Sequence, residues 1–402
     1  LFEEETTMIT QWRSNVAFLR TKGKTLASVM LFASTLALSG CEKPPLAQQR
    51  SQYLAQSKGD VVIGVAWPLK SSKASMLDGV HLALDEINQK GGVVGGRKLK
   101  ILVRDDEASL TKGRLMAQEI ANNPEVAAVI GHLNSYIAEP ASQIYEHAGI
   151  VMITPGASGQ RITENGRNFV FRSLPGNREQ GKQIAEYALA QGYKNIAMYY
   201  IKNDYGIDLA NFFEQKANEV GLTIVDRRSY TMGGDNYVNV LGDWASFLKF
   251  DAICLIGSLP ESAQIIREAR EAGITVPIFG GAGLDSMQLI KLGGKMVEGT
   301  TVFSLFNVDD PREGVVQFRQ NYLKKFNKLP DSSAAQGYDA LHILAQAMNK
   351  ANTVEPSKVA TALRSTRNWQ GVTGMHSFDA KGDMAGKRLF QVQVKDGKFV
   401  AQ

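Results

Sequence analysis

VAAVIGH (126–132), SYIAEPASQIYEHAG (135–149) and IVMITP (150–155) follow one another with almost nothing between them. The first and last are short apolar runs rich in β-branched residues, while the middle one is longer and interleaved with polar side chains, so the string reads strand, helix, strand. That unit builds a parallel sheet, because a crossover long enough to return the chain to the same end is normally a helix. The unit recurs upstream. VVIGVAW (61–67) leads into MLDGVHLALDEINQ (76–89), whose Leu77, Val80, Leu84 and Ile87 fall on one face, and LKILVRDD (99–106) leads into TKGRLMAQEIANN (111–123).

Downstream the pattern starts again. NIAMYYI (195–201), LTIVDRRSY (222–230) and DAICLIG (251–257) each precede a helical stretch, and VPIFGG (276–281) and EGTTVFS (298–304) follow. Two such sets exceed one α/β core, so the chain is expected to be α/β with two similar doubly wound lobes. Helices are further expected at 312–326, 334–351 and 356–365, with two late strands near His376 and Leu389.

Composition narrows the function. With 402 residues, 44% hydrophobic and 21% charged, the chain is neither mostly disordered nor collagen-like. Its net charge of +5 is not gathered into a basic run, which argues against a nucleic-acid partner. Two cysteines, Cys41 and Cys254, exclude a disulfide framework and a thiolate metal cluster. The five histidines lack metal-ligand spacing, and neither a P-loop nor a complete GxSxG elbow occurs, so no metal, cofactor or catalytic residue is expected. His132 is expected to be structural, Cys254 a small core residue, and Asp105, Asp106 and Glu107 a solvated junction or helix cap.

The N-terminal part has the layout of a secretory signal. Arg13, Arg20, Lys22 and Lys24 precede an apolar stretch from Leu26 to Leu38, too short for the roughly 20 residues of a membrane span. Leu38-Ser39-Gly40-Cys41 resembles the lipobox of bacterial lipoproteins, which implies removal of residues 1–40 and lipid attachment at Cys41. The other reading is an ordinary signal with an incidental cysteine. Both Leu1 and Met8 remain possible starts. The polar, proline-paired segment 41–59 reads as a tether, and the folded part is expected outside the cytoplasm.

Open parallel sheets hold ligands beyond the carboxyl ends of their strands. The junctions AWPLKSS, GHLNS, TPGAS, NDYG and GGAGLDS should therefore face a cleft, with Ser135, Gly156, Ala157 and Ser158 offering hydroxyls and backbone amides to an anion. Plain caps and turns are the competing reading.

At these junctions GHLNSYIAEPASQIYEHAGIVMITPGAS (131–158) strongly resembles the leucine/isoleucine/valine-binding proteins of bacterial ABC transporters. Residues 78–107, 260–274 and 336–348 fit the same family. The resemblance implies a type I periplasmic binding protein fold with two hinged lobes, lobe 1 from 60–172 and 305–370 and lobe 2 from 173–304 and 371–402. It implies a carboxylate-binding Ser135, ligand contacts from Gly156 and Ser158, and a ligand-packing Tyr205. Trp67 is a candidate aromatic wall. The glutamate that neutralises an amino acid's ammonium in that family falls in Gly280-Gly281-Ala282-Gly283 and is missing. Either Asp285 replaces it, or the ligand is a carboxylate or amide without an α-ammonium. The expectation is a monomeric, lipid-anchored, non-enzymatic receptor at the periplasm or cell surface. Its partners would be a small solute and ABC permease subunits. The alternative is an envelope lipoprotein of the same fold with a regulatory or sensory role.

Overall fold

The computed structural model describes residues 45–402 except 165, 235 and 236, so Cys41 and the segment 1–40 lie outside the described residues. Helix α1 (Leu46–Gln56) precedes β1 (Val61–Trp67), and the chain then alternates through α2 (Met76–Gln89), β2 (Leu99–Asp105), α3 (Leu110–Asn122), β3 (Val126–Gly131), α4 (Ser135–His147), β4 (Val151–Thr154), α5 (Arg161–Glu164) and β5 (Val170–Arg172). The five strands are parallel in the order β2-β1-β3-β4-β5. Strand order reverses between β1 and β3, and the loops leaving their carboxyl ends diverge there to open a crevice. Every residue of β3 is buried, which is why its sequence is an unbroken apolar run.

The second lobe repeats the scheme with α6 (Asn177–Ala190), β6 (Asn195–Ile201), α7 (Asp204–Glu219), β7 (Thr223–Tyr230), α8 (Val238–Phe247), β8 (Ala252–Ile256), α9 (Glu261–Glu271), β9 (Ile278–Gly280), α10 (Met287–Gly293) and β10 (Thr301–Ser304). The chain returns to the first lobe through α11 (Glu313–Phe326), α12 (Ser332–Ala351), α13 (Pro356–Arg364) and a short hairpin of β11 (Trp369–Gly371) and β12 (Gly374–His376). It ends in the second lobe with β13 (Phe390–Lys395), antiparallel to β10, and β14 (Lys398–Ala401), giving the order β14-β13-β10-β9-β8-β6-β7. Each sheet is covered on both faces by apolar clusters. Cys254 on β8 is buried in one of them.

Three expectations need correction, and one stretch that carried no expectation holds a strand and a helix. Of the expected tether 41–59, the described part from residue 45 is not a plain tether, because α1 docks on the first lobe. The Arg50 guanidinium, 1% exposed, donates to Ala121 O at 2.7 Å, Asn123 O at 2.8 Å, Val126 O at 3.1 Å and Ala148 O. It thus covers the carbonyl ends of α3 and α4, where a cation also meets the helix dipoles, and burial lowers its pKa to about 10. A hydrophobic pattern does not register a helix anchored by a polar plug.

The lobe boundary expected at 371 falls near Lys387 instead. Phe378 and Met384 belong to the first lobe's core, whereas Leu389 packs in the second. The lobes are consequently joined at three crossovers, near Ser173–Gly176, Leu305–Phe306 and Lys387–Leu389.

The segment 170–190 carries β5 and α6, neither of which the apolar pattern revealed. The buried face of α6 includes Gln180, Gly181, Gln183, Ala185 and Ala188, too small and polar for a strong signal. Gly181 is there for space, since a Cβ would lie 2.7 Å from the Phe213 backbone nitrogen on α7.

Asp106 is not solvated. It is fully buried and accepts from the Ala108 amide at 3.0 Å, while its other oxygen pairs with His132 Nδ1 at 2.7 Å. The Nε2 atom of His132 lies 3.2 Å from the Tyr145 hydroxyl, so this histidine ties β3 to α4.

Candidate functional site

A cavity of about 270 Å³ opens between the lobes at the carboxyl ends of both sheets. Ser135, Gly156, Ser158, Tyr205 and Asp285 all line it, although they are scattered over 150 residues of sequence.

The first-lobe wall is built at the start of α4. Asn134 precedes the helix and makes no side-chain cap, so the first amides, Ser135 and Tyr136 among them, are not consumed by a capping oxygen. The Ser135 hydroxyl accepts from the Gly159 amide at 3.0 Å, which leaves its own proton to donate. Gly159 is needed for that approach, because a Cβ there would lie 2.9 Å from Ser135 Cβ. Ser158 is 3% exposed. Its carbonyl accepts from the Asn177 amide at 2.8 Å and Arg172 Nη1 at 2.9 Å, which holds the residue at the first crossover. Such a cluster of hydroxyls and helix-start amides suits a carboxylate.

The second-lobe wall is built on α7 and the turn after β9. The Asn203 side chain caps α7 by accepting from the Gly206 amide at 3.0 Å, which fixes Tyr205 in the first turn. The Tyr205 hydroxyl accepts from the Gly283 amide at 3.3 Å, and burial raises its pKa. The phenol oxygen accounts for Gly281, where a Cβ would stand 2.9 Å from it, whereas at Gly283 a Cβ would first meet the Gly257 carbonyl oxygen at 2.0 Å. Asp285, 7% exposed, takes a hydrogen bond from Ser304 Oγ at 2.7 Å and another from Ser332. Burial raises its pKa against the opposing pull of Lys73 and the two serines.

Lys73 is the residue that sequence reasoning missed. It sits in the loop after β1, and its ammonium reaches across to the second lobe, donating to Ala282 O at 3.2 Å and to Asp285 O. Nothing in LKSSKAS (69–75) separates Lys73 from Lys70, which is exposed. Only the facing lobe distinguishes them. The Ser72 carbonyl accepts from Ser286 Oγ at 3.1 Å beside it. Elsewhere the lobes meet where the Gln160 amide donates to Asp208 Oδ2 at 2.8 Å and Arg161 pairs with Asp204 at 3.4 Å.

Two expected site residues lie elsewhere. Trp67 is 1% exposed and belongs to the first-lobe core. Its indole nitrogen donates to Lys73 O at 3.0 Å, and its ring fills the space a Cβ on Gly156 would need, so it supports the loop from behind. Ala157 is buried and is not among the residues that line the cavity, and its amide donates to Thr154 Oγ1 at 3.0 Å. Two other lining residues, Asn134 and Gln180, carry buried carbonyl oxygens with no hydrogen-bond partner among the described residues. The Gln180 amide nitrogen is taken by Pro175 O at 2.8 Å, which orients the oxygen away from that bond.

Comparison with known proteins places this arrangement. A sequence model for the family described as periplasmic binding protein matches residues 61–398. The chain is 31% identical over 339 residues to Leu/Ile/Val-binding protein homolog 2 of Brucella abortus (strain 2308), covering 81% of this chain and 88% of that one. An ABC transporter substrate-binding protein from Desulfitobacterium hafniense, solved in complex with Leu, is 37% identical. It has a TM-score of 0.76 and covers 85% of this chain and 100% of its own. A leucine-binding protein from Thermotoga maritima is 28% identical with a TM-score of 0.79, covering 85% and 97%.

Proposed function

The chain belongs to the periplasmic binding proteins, and we propose that it is the substrate-binding protein of an ABC transporter, capturing a small polar solute between its lobes and presenting it to permease subunits. The solute is an amino acid or a related carboxylate or amide. One observation carries this reading: the Ser135 hydroxyl, held by the Gly159 amide at the start of α4, lies in an interlobe cavity whose opposite wall is Tyr205.

Closure follows from the three crossovers. The solute's carboxylate is taken first by Ser135 and Ser158, and the second lobe then closes over it with Tyr205. Contacts made in both lobes favour the closed state, since only differential affinity shifts such an equilibrium. Attachment through a lipidated Cys41 and an extracytoplasmic location complete the proposal; among the described residues no helix is long and apolar enough to cross a membrane. Titration calorimetry with a panel of amino acids and related acids tests the function. Saturable one-to-one binding that weakens at least tenfold in Ser135→Ala/Ser158→Ala is expected, and unchanged affinity in the double variant refutes the site.

A further inference from the structure

Of the residues that line the cavity, three carry formal charge: Lys70, Lys73 and Asp285. Lys70 is exposed at the rim, whereas Lys73 and Asp285 are 9% and 7% exposed. The Lys73 ammonium is satisfied by the Ala282 and Asp285 carbonyls, and it lies within electrostatic reach of the Asp285 carboxylate. That carboxylate in turn is bonded by Ser304 and Ser332. Two carbonyl oxygens and a carboxylate at the end of β9 form the acceptor set that a solute's ammonium would require, and the chain's own ammonium fills it.

A second cation brought into the same cleft would face Lys73 across a poorly solvated gap, with no carboxylate on the lining left to pair with it. An anion meets the opposite situation, because the lining charges sum in favour of it and the Ser135 and Ser158 hydroxyls stand ready. The partnerless oxygens of Asn134 and Gln180 are neutral acceptors, which can take a donated hydroxyl or N–H but supply no counter-charge.

We propose that the cleft selects a small carboxylate that has no α-ammonium, bearing a hydroxyl or oxo group in its place, because Lys73 supplies the cation that an amino acid would bring. The inference rests on reading the cavity as the solute site, and it sets this chain apart from the leucine complex of the 37% identical neighbour. Lys73 acts here as a specificity-determining residue.

The test uses matched triads that differ only at the α-substituent: L-leucine, 4-methyl-2-oxopentanoate and 2-hydroxy-4-methylpentanoate, and the corresponding phenylalanine, phenylpyruvate and phenyllactate set. Titration calorimetry of the purified protein should give at least tenfold tighter binding of the oxo or hydroxy acid than of the amino acid in any triad that binds. Amino-acid binding equal to or tighter than that of its partners overturns the assignment of Lys73 while leaving the receptor reading intact. Silence of all six compounds overturns the carboxylate class and the solute-site reading beneath it. The variants Lys73→Met and Lys73→Gln, the second kept in case the first fails to fold, should shift the ratio towards the amino acid by at least tenfold. A merely structural lysine would weaken all members of a triad alike, and that result also overturns the proposal.

Discussion

Among the described residues two buried lysines each lie beside a buried aspartate, one in the cleft and one at the third crossover, and separation of the lobes would affect them differently. Lys73 comes from the first lobe while its acceptors belong to the second, so opening would strip the ammonium of its partners. Lys387 keeps its partners near the crossovers: its ammonium donates to Thr373 Oγ1 at 2.7 Å, His376 Nε2 at 3.0 Å and the Ser173 carbonyl at 3.3 Å. Asp339 on α12 completes that cluster by accepting from the Thr373 hydroxyl and the amides of Val372 and Thr373. A charge that bridges lobes reports on conformation, while one enclosed at a crossover reports on folding.

Breaking the crossover pair should have the largest effect. Asp339→Ala leaves Lys387 buried without a counter-charge and should cost about 3–5 kcal/mol in denaturant unfolding. A loss below about 1 kcal/mol would show that the lysine is relieved by another route.

The same pair predicts a pH dependence. Burial lowers the pKa of Lys387 to about 7 despite Asp339, whereas in the unfolded chain it lies near the ordinary 10.5. Between those values the unfolded chain holds a proton that the folded one does not, so this group's contribution to stability rises with pH across that window. Burial acts on Asp339 in the opposite sense, raising its pKa, and removal of Lys387 raises it further. Stability relative to Lys387→Met should therefore increase by at least about 1 kcal/mol from pH 7 to pH 10. A flat difference would mean that Lys387 stays charged in the folded protein.

The cleft should respond to substitution in binding rather than in folding. Ser135→Ala/Ser158→Ala is expected to lose about 1.4 kcal/mol of ligand affinity, a factor of ten, with the thermal midpoint of the ligand-free protein shifted by no more than about 4 °C. The smallest effect belongs to the rim. Arg161 and Asp204 are 68% and 42% exposed, so Asp204→Ala should change affinity by less than about 1 kcal/mol, with any effect fading at high salt. A larger and salt-insensitive loss would place this pair among the contacts that hold the lobes together.

How legible each region was follows the same division. Strands β1, β3, β6 and β8 were evident because burial on both faces imposes continuous apolar runs. Helix α6 was hidden because only Ile184 and Tyr187 of its eight buried residues are large and apolar, the rest being asparagine, glutamine, glycine and alanine. In the cleft, Ser135, Gly156 and Ser158 were legible from the strand-to-helix junctions and Tyr205 and Asp285 from the family resemblance, and all five line the cavity. Trp67 ends a strand buried on both faces, so no alternation marked its side chain as lying in the first-lobe core behind Gly156 and not on the cavity wall.

By itself the sequence determined the α/β alternation, the presence of two sheets and the strand-to-helix junctions that face the cavity. Those properties depend on hydrophobic periodicity and helix starts, which neighbouring residues settle among themselves. Only the tertiary structure decided that Arg50 caps two helices, that Lys73 rather than Lys70 is drawn under the opposite lobe, and that Tyr205 crowds position 281 and the Gly257 carbonyl crowds position 283. Lys73 and its acceptors are separated by 209 and 212 positions, and the strength of a charge contact depends on distance and desolvation in space, which no local pattern records.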